Sequence, residues 1–158
     1  MIIEVMIEIP KGSKNKYEYN KETKQIWLDR VIYSPACYPS DYGFITNTLG
    51  EDGDPLDAMV LINEPTFPGC MMHAKPVAVL NMADEKGTDQ KILCISAHDP
   101  FMAHITRLSD VPQSYLKEIE NFFAIYKTLE QKMTRIDGWQ DENAAIQIIL
   151  EAQKRHIA

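Results

Sequence analysis

Apolar and polar positions alternate through the first two-thirds of the chain, and helical spacing takes over in the last third. Ile3, Val5, Ile7 and Ile9 alternate with Ile2, Glu4, Met6 and Glu8 and stop at Pro10. That period predicts a strand with one buried face, with Glu8 pointing away from the isoleucines. After a basic turn over 11–16, Lys16, Glu18 and Asn20 oppose Tyr17 and Tyr19 on a short second strand. A strand over 25–33 sets Ile26, Leu28, Arg30 and Ile32 on one side. A guanidinium among aliphatic side chains needs either a buried partner or an anion, and the pattern leaves both open.

Residues 35–43 read as a loop, because two prolines and Gly43 break any period. A short buried strand is expected over 58–62, followed by strands over 74–83 and 91–96 that a hairpin loop over 84–89 joins through Gly87. Leu116, Ile119, Phe122, Phe123, Tyr126 and Leu129 then recur at helical spacing over 112–129. A short segment with Met133, Ile136 and Trp139 leads to a second helix, with Asp141 as its N-cap and Ala145, Ile148, Ile149 and Ala152 on one face. Strands followed by helices predict a mainly β, α+β chain, read as a single domain over 1–158.

Composition narrows the function. With 158 residues, 45% hydrophobic and 25% charged, the chain can bury a core of ordinary size. A net charge of −7 opposes a nucleic-acid partner or an anionic membrane surface. Cys37, Cys70 and Cys94 are isolated, with no C-x-x-C, so neither a disulfide framework nor a zinc site is expected and a reducing cytoplasm is. No run reaches the roughly 20 apolar residues that span a bilayer, so neither export nor insertion is expected.

The chemistry concentrates in Asp52-Gly-Asp-Pro-Leu-Asp57. Three like charges so close repel unless something neutralises them, and carboxylate oxygens are hard ligands suited to Mg²⁺, Mn²⁺ or Ca²⁺. Pro55 restricts itself and Asp54, while Gly53 permits a tight turn, so the side chains are presented together. An EF-hand loop would place Gly and Glu where Asp57 and Asn63 stand, which excludes that reading. The wider inventory is Asp, Glu, Lys, Arg and Tyr, without a nucleophilic Ser or Cys motif or a dinucleotide-binding glycine fingerprint. Such a set suits metal-assisted attack on a phosphoryl group.

From Ile7-Glu-Ile-Pro10 to Gly138-Trp139 the chain resembles the family I soluble inorganic pyrophosphatases, most closely the short bacterial type that begins at the first strand. The signature D-x-D-P-x-D stands at 52–57. Around it, in family order, lie Lys-Tyr-Glu at 16–18, Asp-Arg at 29–30, Tyr-Pro and Asp-Tyr-Gly within 38–43, Asp-Glu at 84–85, Asp-x-Lys at 89–91 and Tyr-Lys at 126–127.

The resemblance implies a five-stranded, closed OB-type β-barrel flanked by two helices, and hydrolysis of pyrophosphate to two orthophosphates. Several Mg²⁺ ions are implied per site, with Mn²⁺ as a substitute and Ca²⁺ as an inhibitor. Asp52, Asp57 and Asp89 would hold the activating ions, and Asp84 would share a substrate-associated ion with Asp89. Glu8 and Glu18 would be further metal-side carboxylates. Lys16, Arg30, Tyr42, Tyr126 and Lys127 would bind phosphate oxygens, and Asp54 or Asp89 would take the proton from water. A carboxylate shared between two metals is weakly basic, which favours Asp54. The family also implies a homo-oligomer, commonly a hexamer, in the cytoplasm, with no nucleic-acid or membrane partner.

Two departures from the family pattern limit what carries over. Thr128 replaces the Asp common after the Tyr-Lys pair and the loop over 130–134 is short, so Lys132 inherits no role; Lys21 and Lys86 stand where some bacterial members of the family carry histidines, so no histidine-dependent behaviour transfers. The contrasting readings are an OB-type module binding nucleic acid, which the acidic balance opposes, and a metal-binding domain without turnover.

Overall fold

The computed structural model describes residues Met1–Ala158 and begins with the expected alternating strand, β1 (Ile3–Ile9), whose Ile3, Val5, Ile7 and Ile9 are buried. A two-stranded ribbon follows, β2 (Asn15–Asn20) and β3 (Gln25–Val31). Then come β4 (Asp41–Ile45), β5 (Asp57–Leu61), the long β6 (Met71–Asp84) and β7 (Gly87–Ser96). Helix α1 (Gln113–Ile125), strand β8 (Arg135–Gln140) and helix α2 (Glu142–Ile157) complete the chain.

Five strands close on themselves. β1 pairs antiparallel with β4, β4 with β5, β5 runs parallel to β7, β7 is antiparallel to β6, and the first half of β6 returns to β1. This ring is the OB-type barrel, and closure leaves none of its five strands with a free edge on both sides. The far half of β6 carries β8 as an added strand. All five barrel strands contribute to one apolar cluster, which α2 completes with Ala145, Ile149 and Ala152. The alternate side chains of β5–β7, among them Met59, Leu61, Leu80 and Leu93, pack with Leu116, Ile119, Phe122 and Phe123 of α1. Each helix therefore covers a different part of the barrel wall. Asp141 caps α2 as expected, its carboxylate accepting the Ala144 N–H at 3.0 Å.

Several boundaries differ from the sequence reading. Residues 41–43, read as loop, open strand β4. Gly43 is required there by contact between strands, since a Cβ at that position would lie 1.8 Å from the Met6 carbonyl oxygen. The stretch around Ile136 and Trp139 is strand β8, held by pairing with β6. Helix α1 ends at Ile125, and a 3-10 turn over Thr128–Glu130 replaces its last expected turn. The ribbon β2–β3 has no second layer, so Leu28 is 55% exposed and Arg30 does not sit among aliphatic side chains. Its tie to the barrel includes the Tyr19 N–H, which donates to Glu8 Oε2 at 2.8 Å.

Candidate active site

One cavity of about 510 Å³ opens at the barrel surface beside the ribbon, and every residue singled out from the sequence lines it. β1 contributes Glu8, the ribbon Lys16, Glu18 and Arg30, and β4 Tyr42. The loop before β5 brings Asp52 and Asp54, and β5 itself Asp57. Asp84 and Asp89 come from the β6–β7 hairpin, and Tyr126 and Lys127 from the end of α1.

The acidic loop owes its shape to local bonds. Thr48 Oγ1 donates to the Ile45 carbonyl at 2.7 Å and accepts the Leu56 N–H at 3.1 Å, which draws the two ends of the loop together. Within it, Gly50 N–H donates to the Asp54 carbonyl at 2.7 Å, and Asp54 N–H to Asp52 Oδ1 at 3.0 Å. Gly53, at φ +89°, makes the turn that a side chain would strain. The three aspartates are thus held on one side of a short hydrogen-bonded turn, with Asp54 free of any ion pair.

Lys91 lies at the floor of the cavity, a residue to which the sequence reading gave no role. Parallel pairing of β5 with β7 sets it opposite Asp57. Its side chain is only 3% exposed, and its Nζ lies 3.0 Å from Asp57 Oδ2, 2.9 Å from Asp89 Oδ2 and 2.9 Å from the Tyr42 hydroxyl. Burial opposes its charge, but Asp57, Tyr42 and Asp89 outweigh burial and raise its pKa well above the usual lysine range. Ammonium only donates, so the Tyr42 oxygen must accept, which leaves the Tyr42 O–H free to donate to something else. The sequence signal for Lys91 was a lysine opening the apolar run 92–95 on the same strand side as Asp89.

The cationic rim is also paired. Asp29 bridges Lys16 at 3.3 Å and Arg30 at 2.8 Å, which face each other across the ribbon. Arg30 Nε lies 2.7 Å from Glu130 Oε1, close enough for an ion pair but not aligned for a hydrogen bond. Lys127 stands 3.5 Å from Asp84 and 3.6 Å from Glu85. Burial works against the Asp84 charge, yet the Lys86 N–H and the Lys127 ammonium hold its carboxyl below the usual range. Lys86 and Lys132, to which no role had been given, also line the wall, as does Glu85.

Negative charge is incompletely compensated. Burial, opposed by the Tyr19 N–H and reinforced by Asp57, pushes the Glu8 carboxyl up to about 7. Burial and nearby Asp57 likewise raise Asp89, although Lys91 is in contact with it. Burial carries Tyr126 up to about 12 and also pushes Tyr42 well above the usual tyrosine range, so both hydroxyls remain protonated donors. No three Asp, Glu, His or Cys side chains converge on one preformed cation position. The donor set nevertheless fits hard divalent cations: it is all carboxylate, contains no His or Cys, and gathers its carboxylates around one cavity.

Comparison with known proteins bears on the chain as a whole. The family profile described as "Inorganic pyrophosphatase" matches residues 5–157. A protein named inorganic pyrophosphatase from Methanosarcina mazei is 53% identical over 152 residues, covering 96% of this chain and 90% of its own. One of the same name from Synechocystis is 49% identical over 155 residues, covering 98% and 92%. The crystal structure of inorganic pyrophosphatase from Thermus thermophilus superimposes with a TM-score of 0.97 at 41% identity, covering 99% of this chain and 92% of that one.

Proposed function

The chain belongs to the inorganic pyrophosphatase family and hydrolyses pyrophosphate to two orthophosphates, and we propose that it does so in the cavity described above, with Mg²⁺ held by its carboxylates. The observation that carries this assignment of the site is that twelve residues drawn from all seven strands β1–β7, the loop before β5 and the end of α1 meet in one cavity.

Asp52, Asp57, Asp84 and Asp89 are the proposed metal ligands, with Glu8 and Glu18 as further metal-side carboxylates. When bound, the cations activate a water and neutralise phosphate charge. Lys16, Arg30, Tyr42, Tyr126 and Lys127 bind phosphate oxygens, the two tyrosines donating their O–H groups and the cations contributing charge in a partly desolvated site. Asp54 accepts the proton from the attacking water. Its carboxylate carries no ion pair, whereas Asp89 is already engaged by Lys91. Lys91 bridges Asp57 and Asp89, offsetting their mutual repulsion, and orients Tyr42.

Mn²⁺ is expected to substitute for Mg²⁺ and Ca²⁺ to inhibit. The whole of 1–158 serves as one catalytic domain, at work in the cytoplasm; no helix is long and apolar enough to cross a membrane. The protein assembles as a homo-oligomer, a hexamer on the family pattern. Phe67 and Phe101, 63% and 67% exposed, are apolar surface of the kind that an interface would cover.

The test is orthophosphate release from pyrophosphate by the purified protein with and without Mg²⁺, with ATP as competing substrate and Asp57→Asn as control. Mg²⁺-dependent release that the substitution abolishes is the expected result. A folded sample inert with every divalent metal would overturn the reading.

A further inference from the structure

The acidic loop is suspended from the end of α2. Leu49, three residues before Asp52, donates its N–H to the Ala152 carbonyl at 3.0 Å. Its own carbonyl accepts from Arg155 Nη1 at 2.7 Å. Ala152 and Arg155 are three apart and so share one helix face. Ala152 is fully buried in the barrel cluster, which fixes that face relative to β1, β5 and β7. Both backbone groups of Leu49 are therefore bonded to a rigid element, immediately before the turn that carries Asp52, Asp54 and Asp57.

Beyond that tether the helix gives the loop little support. A second cavity of about 290 Å³ lies between them, with Ile148, Glu151 and Arg155 on the helix side and Asp52, Asp57 and Asp89 on the other. Arg155 is the sole cation in its lining. Its Nη2 also lies 3.9 Å from Glu51 Oε1, but that carboxylate is 90% exposed and the pair is worth little. With open space behind the Asp52 side of the loop, the placement of Asp52 relative to β5 depends on the Leu49 bonds together with the turn's own hydrogen bonds.

We infer that Arg155 is a positioning residue for the metal-binding loop: by holding the Leu49 carbonyl it sets Asp52 at the spacing the cations need from Asp57, which β5 and Lys91 hold in place. The inference rests on the proposed metal role of those carboxylates. Arg155 lies outside the lining of the catalytic cavity, so its loss should weaken cation binding and leave turnover at saturating Mg²⁺ much less affected.

The experiment titrates Mg²⁺ alone into the full protein by calorimetry, then measures pyrophosphate hydrolysis against Mg²⁺ concentration. Arg155→Met keeps the aliphatic stem and removes the donor; Arg155→Lys restores a cationic donor; Glu51→Gln removes only the exposed pair. Loss of a group that hydrogen-bonds directly to a metal ligand changes affinity by about 10–100-fold, and this residue acts one bond further out, so Arg155→Met should weaken Mg²⁺ binding about 3- to 10-fold. Arg155→Lys should recover most of that loss, and Glu51→Gln should match the parent. If Arg155→Met does not fold, Arg155→Gln, too short to reach Leu49, is measured in its place with the same expectation. A purely structural role would lower melting temperature and active fraction without moving the dissociation constant per folded site. Parent-like Mg²⁺ affinity in the donor-less variant therefore overturns the inference alone. A parent protein that neither binds Mg²⁺ nor hydrolyses pyrophosphate overturns the functional reading and this inference with it.

Discussion

Glu8 and Lys91 represent opposite solutions to burying a charge. Lys91 is satisfied by two carboxylates and a hydroxyl, so removing it leaves Asp57 and Asp89 repelling each other. Breaking a buried pair by deleting one partner costs about 3–5 kcal/mol. Lys91→Met should therefore lose stability of that order in urea titrations with EDTA, and less with Mg²⁺ present, because a cation can take over the compensation. Glu8 has a backbone N–H but no cation in contact, and its carboxyl rises from 4.5 to about 7. The folded state then holds the proton more tightly than the unfolded chain. This favours folding below about pH 4.5, and the advantage is lost as pH rises through 7. Glu8→Gln, which keeps an acceptor for Tyr19, should match the metal-free parent near pH 4 and exceed it by about 3 kcal/mol at pH 8. Equal stabilities at pH 8 would contradict that account. The role proposed for Arg30 comes from the family resemblance, its alternation leaving two readings open; the metal roles of Asp52 and Asp57 could be inferred from their motif and spacing. The role of Lys91 could not, because it arises from a parallel register between β5 and β7 that no local pattern encodes.

The elements that the sequence reading placed well were those with one clean period. β1 alternates without interruption, and α2 has both a capping aspartate and a single apolar face. β4 and β8 went unrecognised because their determinants are non-local: β4 contains a glycine that reads as a breaker, and β8 is held by pairing to β6. Gly43 shows how the two levels conflict. Locally it weakens a strand; across the sheet it lets β4 approach β1, where a methyl group would overlap backbone that cannot move aside as a side chain would. Gly43→Ala should thus cost about 3 kcal/mol or more, or prevent folding altogether, despite the higher strand propensity of alanine. Thermal denaturation with full retention of stability would show that the β1–β4 spacing is adjustable. A comparable conflict explains Arg30. Alternation placed it with Ile26, Leu28 and Ile32, but the ribbon lies outside the barrel, so that side is partly solvent-facing and the guanidinium is free to line the cavity.

At the scale of the molecule, the net charge of −7 and the make-up of the cavity raise the same problem. The main cavity is lined by eight carboxylates, of Glu8, Glu18, Asp52, Asp54, Asp57, Asp84, Glu85 and Asp89, against six cations, of Lys16, Arg30, Lys86, Lys91, Lys127 and Lys132. Most of those cations are committed to carboxylate partners. A polyanionic substrate entering without metal would meet a site that is already net negative, in which repulsion is poorly screened by water. The barrel therefore supplies phosphate ligands whose combined charge becomes attractive only after divalent cations are bound, so metal binding must precede or accompany substrate binding. Two measurements follow. Calorimetric titration of orthophosphate should give no detectable binding in EDTA and saturable binding with Mg²⁺; equal affinity in both would mean that the cations of the rim suffice. Mg²⁺ should also stabilise the fold by mass action, by about 2.7 kcal/mol per site at one hundred times its dissociation constant. That increment should shrink in Asp57→Asn, since the same carboxylates that lower stability in the metal-free protein are the source of the gain when the cations bind.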